Sequence, residues 1–191
     1  MRFPNTNTRG SGNRFLGTRI SVRHTPIIVY ICHMSKRIAI FADVQNIYYT
    51  TRQAYGRQFD YRSLWQRIST QGEIIYATAY AIHRGDSQQL KFQNALKDIG
   101  FTVKLKPYIQ RSDGSAKGDW DVGIAIDALE VANEVDTMIL LSGDGDFDLL
   151  LDTLKRKYGV STEVYGVPAL TANSLIDSAS VYHRIEEDLL L

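Results

Sequence analysis

The chain has 191 residues, 44% of them hydrophobic and 23% charged, with a formal net charge of +1. This length suits one domain whose core needs no staple. The single cysteine, Cys32, excludes an intrachain disulfide and a cysteine-built zinc site. No apolar run reaches the ~20 residues needed to cross a bilayer, so a protein without a membrane partner, in a reducing cytoplasm, is expected.

Residues 1–33 are rich in Asn, Thr, Gly, Ser and Arg and show no sustained periodicity. They read as a disordered or non-native extension ahead of a domain spanning 34–191; the other reading is a basic arm that touches nucleic acid. They hold five arginines and no Asp or Glu, which leaves 17 basic against 21 acidic residues in 34–191. An acidic domain approaches phosphate only through local basic patches or bound cations.

From residue 37 the pattern alternates between strands and helices. Residues 37–42 form a short apolar run that ends at Asp43 and predict a buried strand. Helices are predicted over 46–55 and 61–70, a second strand over 73–82, and a helix over 87–99 stopped by Gly100. A third strand over 101–106 ends at Pro107, and a polar loop, 108–118, leads to a helix over 121–133. Strands at 137–141 and 161–165 flank a helix at 147–158. A short helix at 171–177 and a sixth strand at 181–185 complete the chain. The repeated β-then-α order predicts a three-layer α/β fold, Rossmann-like, with a mostly parallel sheet and helices on both faces. In a doubly wound sheet ordered 3-2-1-4-5, strands one and four are neighbours at the switch point, where ligands bind beyond the carboxyl ends.

Both of those strands end in acids. Asp43 lies in Phe41-Ala-Asp-Val-Gln-Asn46 and Asp144 in Leu141-Ser-Gly-Asp-Gly-Asp-Phe-Asp148, with a third source in Lys117-Gly-Asp-Trp-Asp121. Taken singly, Asp119 and Asp146 suit helix caps and Asp43 a turn. Taken together, carboxylates ~4 Å apart repel by ~4 kcal/mol per pair at an effective dielectric of ~20. Such a group needs cations or raised pKa values, and Mg²⁺ or Mn²⁺ suit all-oxygen donors.

Other motifs fail. An EF-hand loop starting at Asp144 would carry Leu149 at its glycine position and Lys155 at its final glutamate position. There is no G-x-G-x-x-G, P-loop or G-x-S-x-G. An aspartyl phosphatase would need a second Asp where Gln45 stands.

Phe41-Ala-Asp-x-x-Asn46, Lys117-Gly-x-x-Asp121 with Ile126-Asp-Ala-Leu129, and Leu141-Ser-Gly-Asp-Gly-Asp-Phe147 together resemble the NYN domain of LabA-like proteins, in the PIN-like nuclease superfamily. The resemblance spans roughly residues 36–186. Between the lysine-glycine pair and its Asp the spacing departs by one residue, so Asp119 and Asp121 compete for one role. Asp121 is preferred because it precedes the apolar helical series Val122, Ile126 and Leu129. The resemblance implies a metal-dependent ribonuclease in which Asp43, Asp121, Asp144 and Asp146 hold Mg²⁺ or Mn²⁺ and carry the chemistry.

Asn46 suits either a phosphate contact, a support for Asp43 or a helix cap. Arg84, Arg111 and Lys117 are candidate phosphate contacts. Tyr48, Tyr49, Tyr55 and Trp120 are candidates to stack unpaired bases, with core or helix packing as the other reading of Tyr48 and Tyr49. The expected partner is RNA in single-stranded form, and a homodimer is compatible with the chain. The rival readings are an RNA-binding or regulatory NYN module with little turnover, and a phosphatase on the same fold.

Overall fold

The computed structural model describes residues 35–83, 87–107, 109–110, 116–117 and 119–191. The expected N-terminal extension and its boundary at Met34 lie outside the described residues. In chain order the elements are β1 (Arg37–Asp43), α1 (Val44–Tyr55), α2 (Tyr61–Ser69), β2 (Glu73–His83), α3 (Ser87–Ile99) and β3 (Thr102–Pro107). There follow β4 (Ile109–Gln110), β5 (Ala116–Lys117), α4 (Asp121–Val131), β6 (Thr137–Leu141), α5 (Asp148–Thr153), β7 (Ser161–Gly166), α6 (Asn173–Ser178) and β8 (Val181–Arg184). No helix among the described residues is long and apolar enough to cross a membrane.

The main sheet is ordered β3-β2-β1-β6-β7-β8 and every pairing in it is parallel. This is the predicted doubly wound order, with β1 and β6 side by side. A continuous apolar run marks a strand covered on both faces, and Ile38 through Ala42 of β1 and all of β6 are buried. Alternate residues feed two separate cores. Ile38, Ile40 and Ala42 pack with Ile47 of α1, Leu64 and Ile68 of α2, and Leu96 of α3. Ala39 and Phe41 pack with Ile124 and Ala128 of α4, Leu150 and Leu151 of α5, and Leu175 of α6. The result is three layers.

Four details depart from the sequence expectations. The loop over 108–118 contains the antiparallel pair β4–β5, too short to show periodicity. The helix expected over 147–158 is a 3-10 turn (Gly145–Phe147), the α-helix α5 and a π-helical stretch (Leu154–Tyr158). The helix expected from 46 begins at Val44. The buried side of α4 is Ile124 and Ala128, followed by Ala132 just past its end, whereas Val122 and Ile126 are exposed; of the apolar series used to favour Asp121, only Leu129 packs against the core.

Where β3 follows α3, Gly100 adopts φ +129°, and a Cβ there would lie 2.5 Å from Cη2 of Trp65, a ring packed edge-on to Phe101. Gly56, with φ +67°, has open space at that position. Gly100→Ala is expected to cost about 1–3 kcal/mol, from strain plus overpacking, and Gly56→Ala only about 1 kcal/mol from its left-handed backbone. Urea unfolding midpoints of the two variants test this; equal losses would mean that the Trp65 contact carries no cost.

Candidate metal centre

β1 ends on Asp43, and its carboxylate closes the next element. Oδ1 accepts the backbone N–H groups of Gln45 and Asn46, each at 3.1 Å, so Asp43 and not Asn46 is the N-cap of α1. Asp43 is only 9% exposed. Burial first, then the negative charges of Asp121 and Asp144, push its pKa up to about 6 against the opposing pull of the two N–H donors.

After β6 the chain turns through Ser142-Gly143-Asp144. Buried Ser142 accepts the Asp144 N–H on Oγ at 3.2 Å. Asp144 in turn accepts the Asp146 N–H at 3.0 Å and caps the 3-10 turn. Phe147 seals the turn against the core at 1% exposure. Gly143 is required by contact: a Cβ would stand 2.6 Å from the Leu170 carbonyl oxygen. Both of its backbone groups are used, the N–H donating to Asn46 Oδ1 at 2.9 Å and the carbonyl accepting the Ala172 N–H at 2.9 Å. Asn46 thus ties the β1–α1 corner to the β6 loop.

The third segment arrives through α4. Trp120 donates its Nε1–H to the Ala81 carbonyl at 2.9 Å and packs on Tyr80, so this aromatic is a structural wedge. Gly123 makes room for it, since a Cβ there would sit 2.7 Å from the indole. Further along, Asp127 accepts from Lys104 Nζ at 2.6 Å and from the Tyr80 hydroxyl, fastening α4 to β2 and β3. Asp121 then stands in the first turn of α4, where the helix dipole favours a carboxylate.

Carboxylate oxygens of Asp121, Asp144 and Asp146 lie within 4.8 Å of one another. Burial first, and then Asp144, Asp119 and Asp146, push the Asp121 carboxyl above its ordinary range, with Lys106 opposing. Asp43 adjoins this trio electrostatically, because Asp121 and Asp144 both raise its pKa. Among the described residues no lysine, arginine or histidine forms an ion pair with any of the four. Carboxylates at that separation repel by on the order of 3 kcal/mol at an effective dielectric near 20, less where Asp146 faces water.

These elements are those of a known family. The NYN domain family model matches residues 37–186. The chain belongs to the NYN domain family. It is 32% identical over 129 residues to the low amplitude and bright protein LabA of Synechococcus elongatus, covering 63% of this chain and 69% of LabA; it is a LabA-like NYN domain, with the PIN-like nuclease fold of that family. A crystal structure of a protein of unknown function from Vibrio parahaemolyticus aligns with a TM-score of 0.80 at 51% identity, over 83% of this chain and 98% of that one.

Of the residues singled out in the NYN sequence, the structure brings Asp43, Asp121, Asp144, Asp146 and Asn46 to one end of the sheet. Asp119 is exposed and outside the close trio; its carbonyl accepts Lys106 Nζ at 2.7 Å. Arg84 and Arg111 lie outside the described residues, as does the side chain of Lys117. Gly143 was hidden as a site residue in the sequence, its only trace being the Ser-Gly-Asp spacing.

The Asp43 carboxyl ionises near 4 when unfolded and near 6 when folded, so its protonated form stabilises the NYN domain fully below the lower value. That contribution, roughly 3 kcal/mol, is lost as pH rises through the upper one. Asn at this position keeps the capping oxygen and has no charge to bury. In EDTA, Asp43→Asn is expected to be more stable than wild type by about 1–3 kcal/mol at about pH 8 and nearly equal to it at about pH 4. Urea unfolding at both values decides; a variant less stable at both would make Asp43 a simple cap.

Proposed function

We propose that this NYN domain is a metal-dependent ribonuclease that hydrolyses phosphodiester bonds of single-stranded RNA at the acidic cluster. The observation that carries this reading is the packing of Asp121, Asp144 and Asp146 within 4.8 Å of one another, beside buried Asp43, with no cationic side chain paired to them among the described residues. The donor set fits a hard divalent ion. All four residues offer carboxylate oxygen, and neither sulfur nor imidazole is among them. Asp121, Asp144 and Asp146 would hold Mg²⁺ or Mn²⁺, with Asp43 completing the set. When bound, the ion supplies positive charge to a phosphodiester and lowers the pKa of water.

The chain's own residues provide the rest. Asp43, held by two backbone N–H donors, keeps one carboxylate oxygen fixed at the mouth of β1. The Asn46–Gly143 hydrogen bond sets the distance between that mouth and the β6 loop. Asp144 is fixed by its own cap to Asp146, so the acids enter the reaction already oriented and spend no ordering entropy at that moment. The acidic domain has no need of a basic stripe around them, because the acid cluster would acquire phosphate affinity through the ion it holds.

Asp144→Asn is expected to lower the cleavage rate of an unstructured, end-labelled RNA in Mg²⁺ by at least about a hundredfold. EDTA should abolish cleavage and added Mn²⁺ restore it. Gel time courses provide the measurement, and an Asp144→Asn protein as fast as wild type would rule the mechanism out. Asn46→Ala, which orphans the Gly143 N–H, is expected to lose about 1–3 kcal/mol of stability and about tenfold in activity. Unchanged values for both would show that the Asn46 tie is dispensable.

A further inference from the structure

A cavity of about 340 Å³, within the size range of small-ligand sites, is lined by residues that follow Asp43 at the start of α1. Val44 and Gln45, in its wall, directly follow Asp43, while Ala81 and Ile82 follow Tyr80, the residue paired with Asp43 in the β1–β2 ladder. Tyr61 also lines it, and this buried phenol feels the charge of Asp43. Cavity and Asp43 therefore share the corner where β1 runs into α1.

The lining has a distinct chemistry. Five glutamines contribute to it, Arg52 is its only charged residue among those described, and no acid takes part. The wall carries no anionic group to fix a cation, and one guanidinium is a poor cage for phosphate. Amides combined with aromatic faces suit a planar, uncharged heterocycle. Gln93 supplies the sharper indication. It is 3% exposed, and its Nε2 has no hydrogen-bond partner among the described residues. A buried donor left unpaired is costly to keep in a fold. One turn away on α3, Gln89 donates from Nε2 to the Ile82 carbonyl at 2.7 Å, which holds α3 against the end of β2. At the rim Tyr48 and Tyr49 are 45% and 48% exposed and meet edge to face, with the Arg52 guanidinium 5.6 Å from the Tyr48 ring centre.

We propose that this cavity is a nucleobase subsite: an unpaired base of the RNA enters past Tyr48 and accepts a hydrogen bond from Gln93. Rotation of the terminal amide, a soft torsion, carries the orphaned N–H to the base edge. The attached phosphate then faces Asp43 and its neighbours, and Arg52 meets the phosphate of the adjoining nucleotide. The subsite gives the domain its preference for single strands, since a base held in a helix cannot enter. This rests on the ribonuclease reading for the fate of the phosphate, but base binding is measurable without turnover.

The test uses full-length Asp144→Asn protein, fluorescence anisotropy at fixed salt and Mg²⁺, and eight-nucleotide oligomers of uridine, of adenosine and of abasic residues with equal phosphate number. Base-bearing oligomers are expected to bind about tenfold tighter than the abasic one. Adding Tyr48→Ala and Gln93→Met should shrink that ratio to about twofold or less without weakening abasic binding. Gln93→Met alone should not lower the melting temperature, because it removes an unpaired donor. A ratio near one in the parent protein, or a ratio that survives both substitutions, overturns the subsite. Should the double variant misfold, a 4-thiouridine oligomer crosslinked to the parent protein decides: adducts on residues 44–61, 81–82 or 88–93 support the subsite, and adducts confined elsewhere refute it. Base-dependent binding in a wild-type protein that leaves RNA uncut would sink the ribonuclease reading alone, and cleavage without base dependence would sink the subsite alone.

Discussion

Like-charged carboxylates gathered at the carboxyl ends of β1 and β6 repel one another, and the surrounding main chain is arranged to hold them there. Asp43 spends one oxygen on the first N–H groups of α1, and Asp144 does the same for the 3-10 turn that follows it. Both bonds satisfy donors that any helix start leaves open, so capping and charge fixation are one interaction. Asn46 then bonds across to Gly143, which prevents the two loops from drifting apart to relieve the repulsion. The parallel sheet makes this arrangement available, because every strand delivers its carboxyl end to the same edge.

The cost of crowding the acids falls where the fold is most redundant. The strand that ends in Asp43 and the strand that precedes Asp144 are buried from Ile38 to Asp43 and along all of β6 and lie in the middle of the sheet, with an apolar core on either face. α4, which brings Asp121, is fastened by Asp127 to Lys104 and Tyr80 and by Trp120 to Ala81. An unfavourable cluster is thus anchored by contacts that do not themselves involve it, the usual way a fold tolerates a strained site. The short stretch from Asp43 to Arg52 serves twice: its first residue belongs to the acid group, and later residues of the same helix line the neighbouring cavity.

Much of the architecture was legible from residue pattern. The runs at 38–42 and 137–141 show no apolar–polar alternation, the mark of central parallel strands. The β-α order implied a parallel sheet, and the 3-2-1-4-5 arrangement of a doubly wound sheet matches the observed β3-β2-β1-β6-β7 neighbours. Pattern failed where periodicity is absent or ambiguous. β4 and β5 have two residues each, and α4 is apolar on more than one side, so Val122 and Ile126 belong to its apolar series although they are exposed.

The sequence by itself determined the class of fold, the family, and which acids stand at strand ends, because strand length and the identity of the residue ending each strand are local properties. Only the tertiary structure decided that Asp121, rather than Asp119, joins Asp144 and Asp146, that Asn46 serves Gly143, and that Gln93 of α3 lines a cavity with residues of α1. Each of these depends on where segments tens of residues apart come to rest, and side-chain proximity across such separations is set by packing of whole elements, which no local pattern encodes.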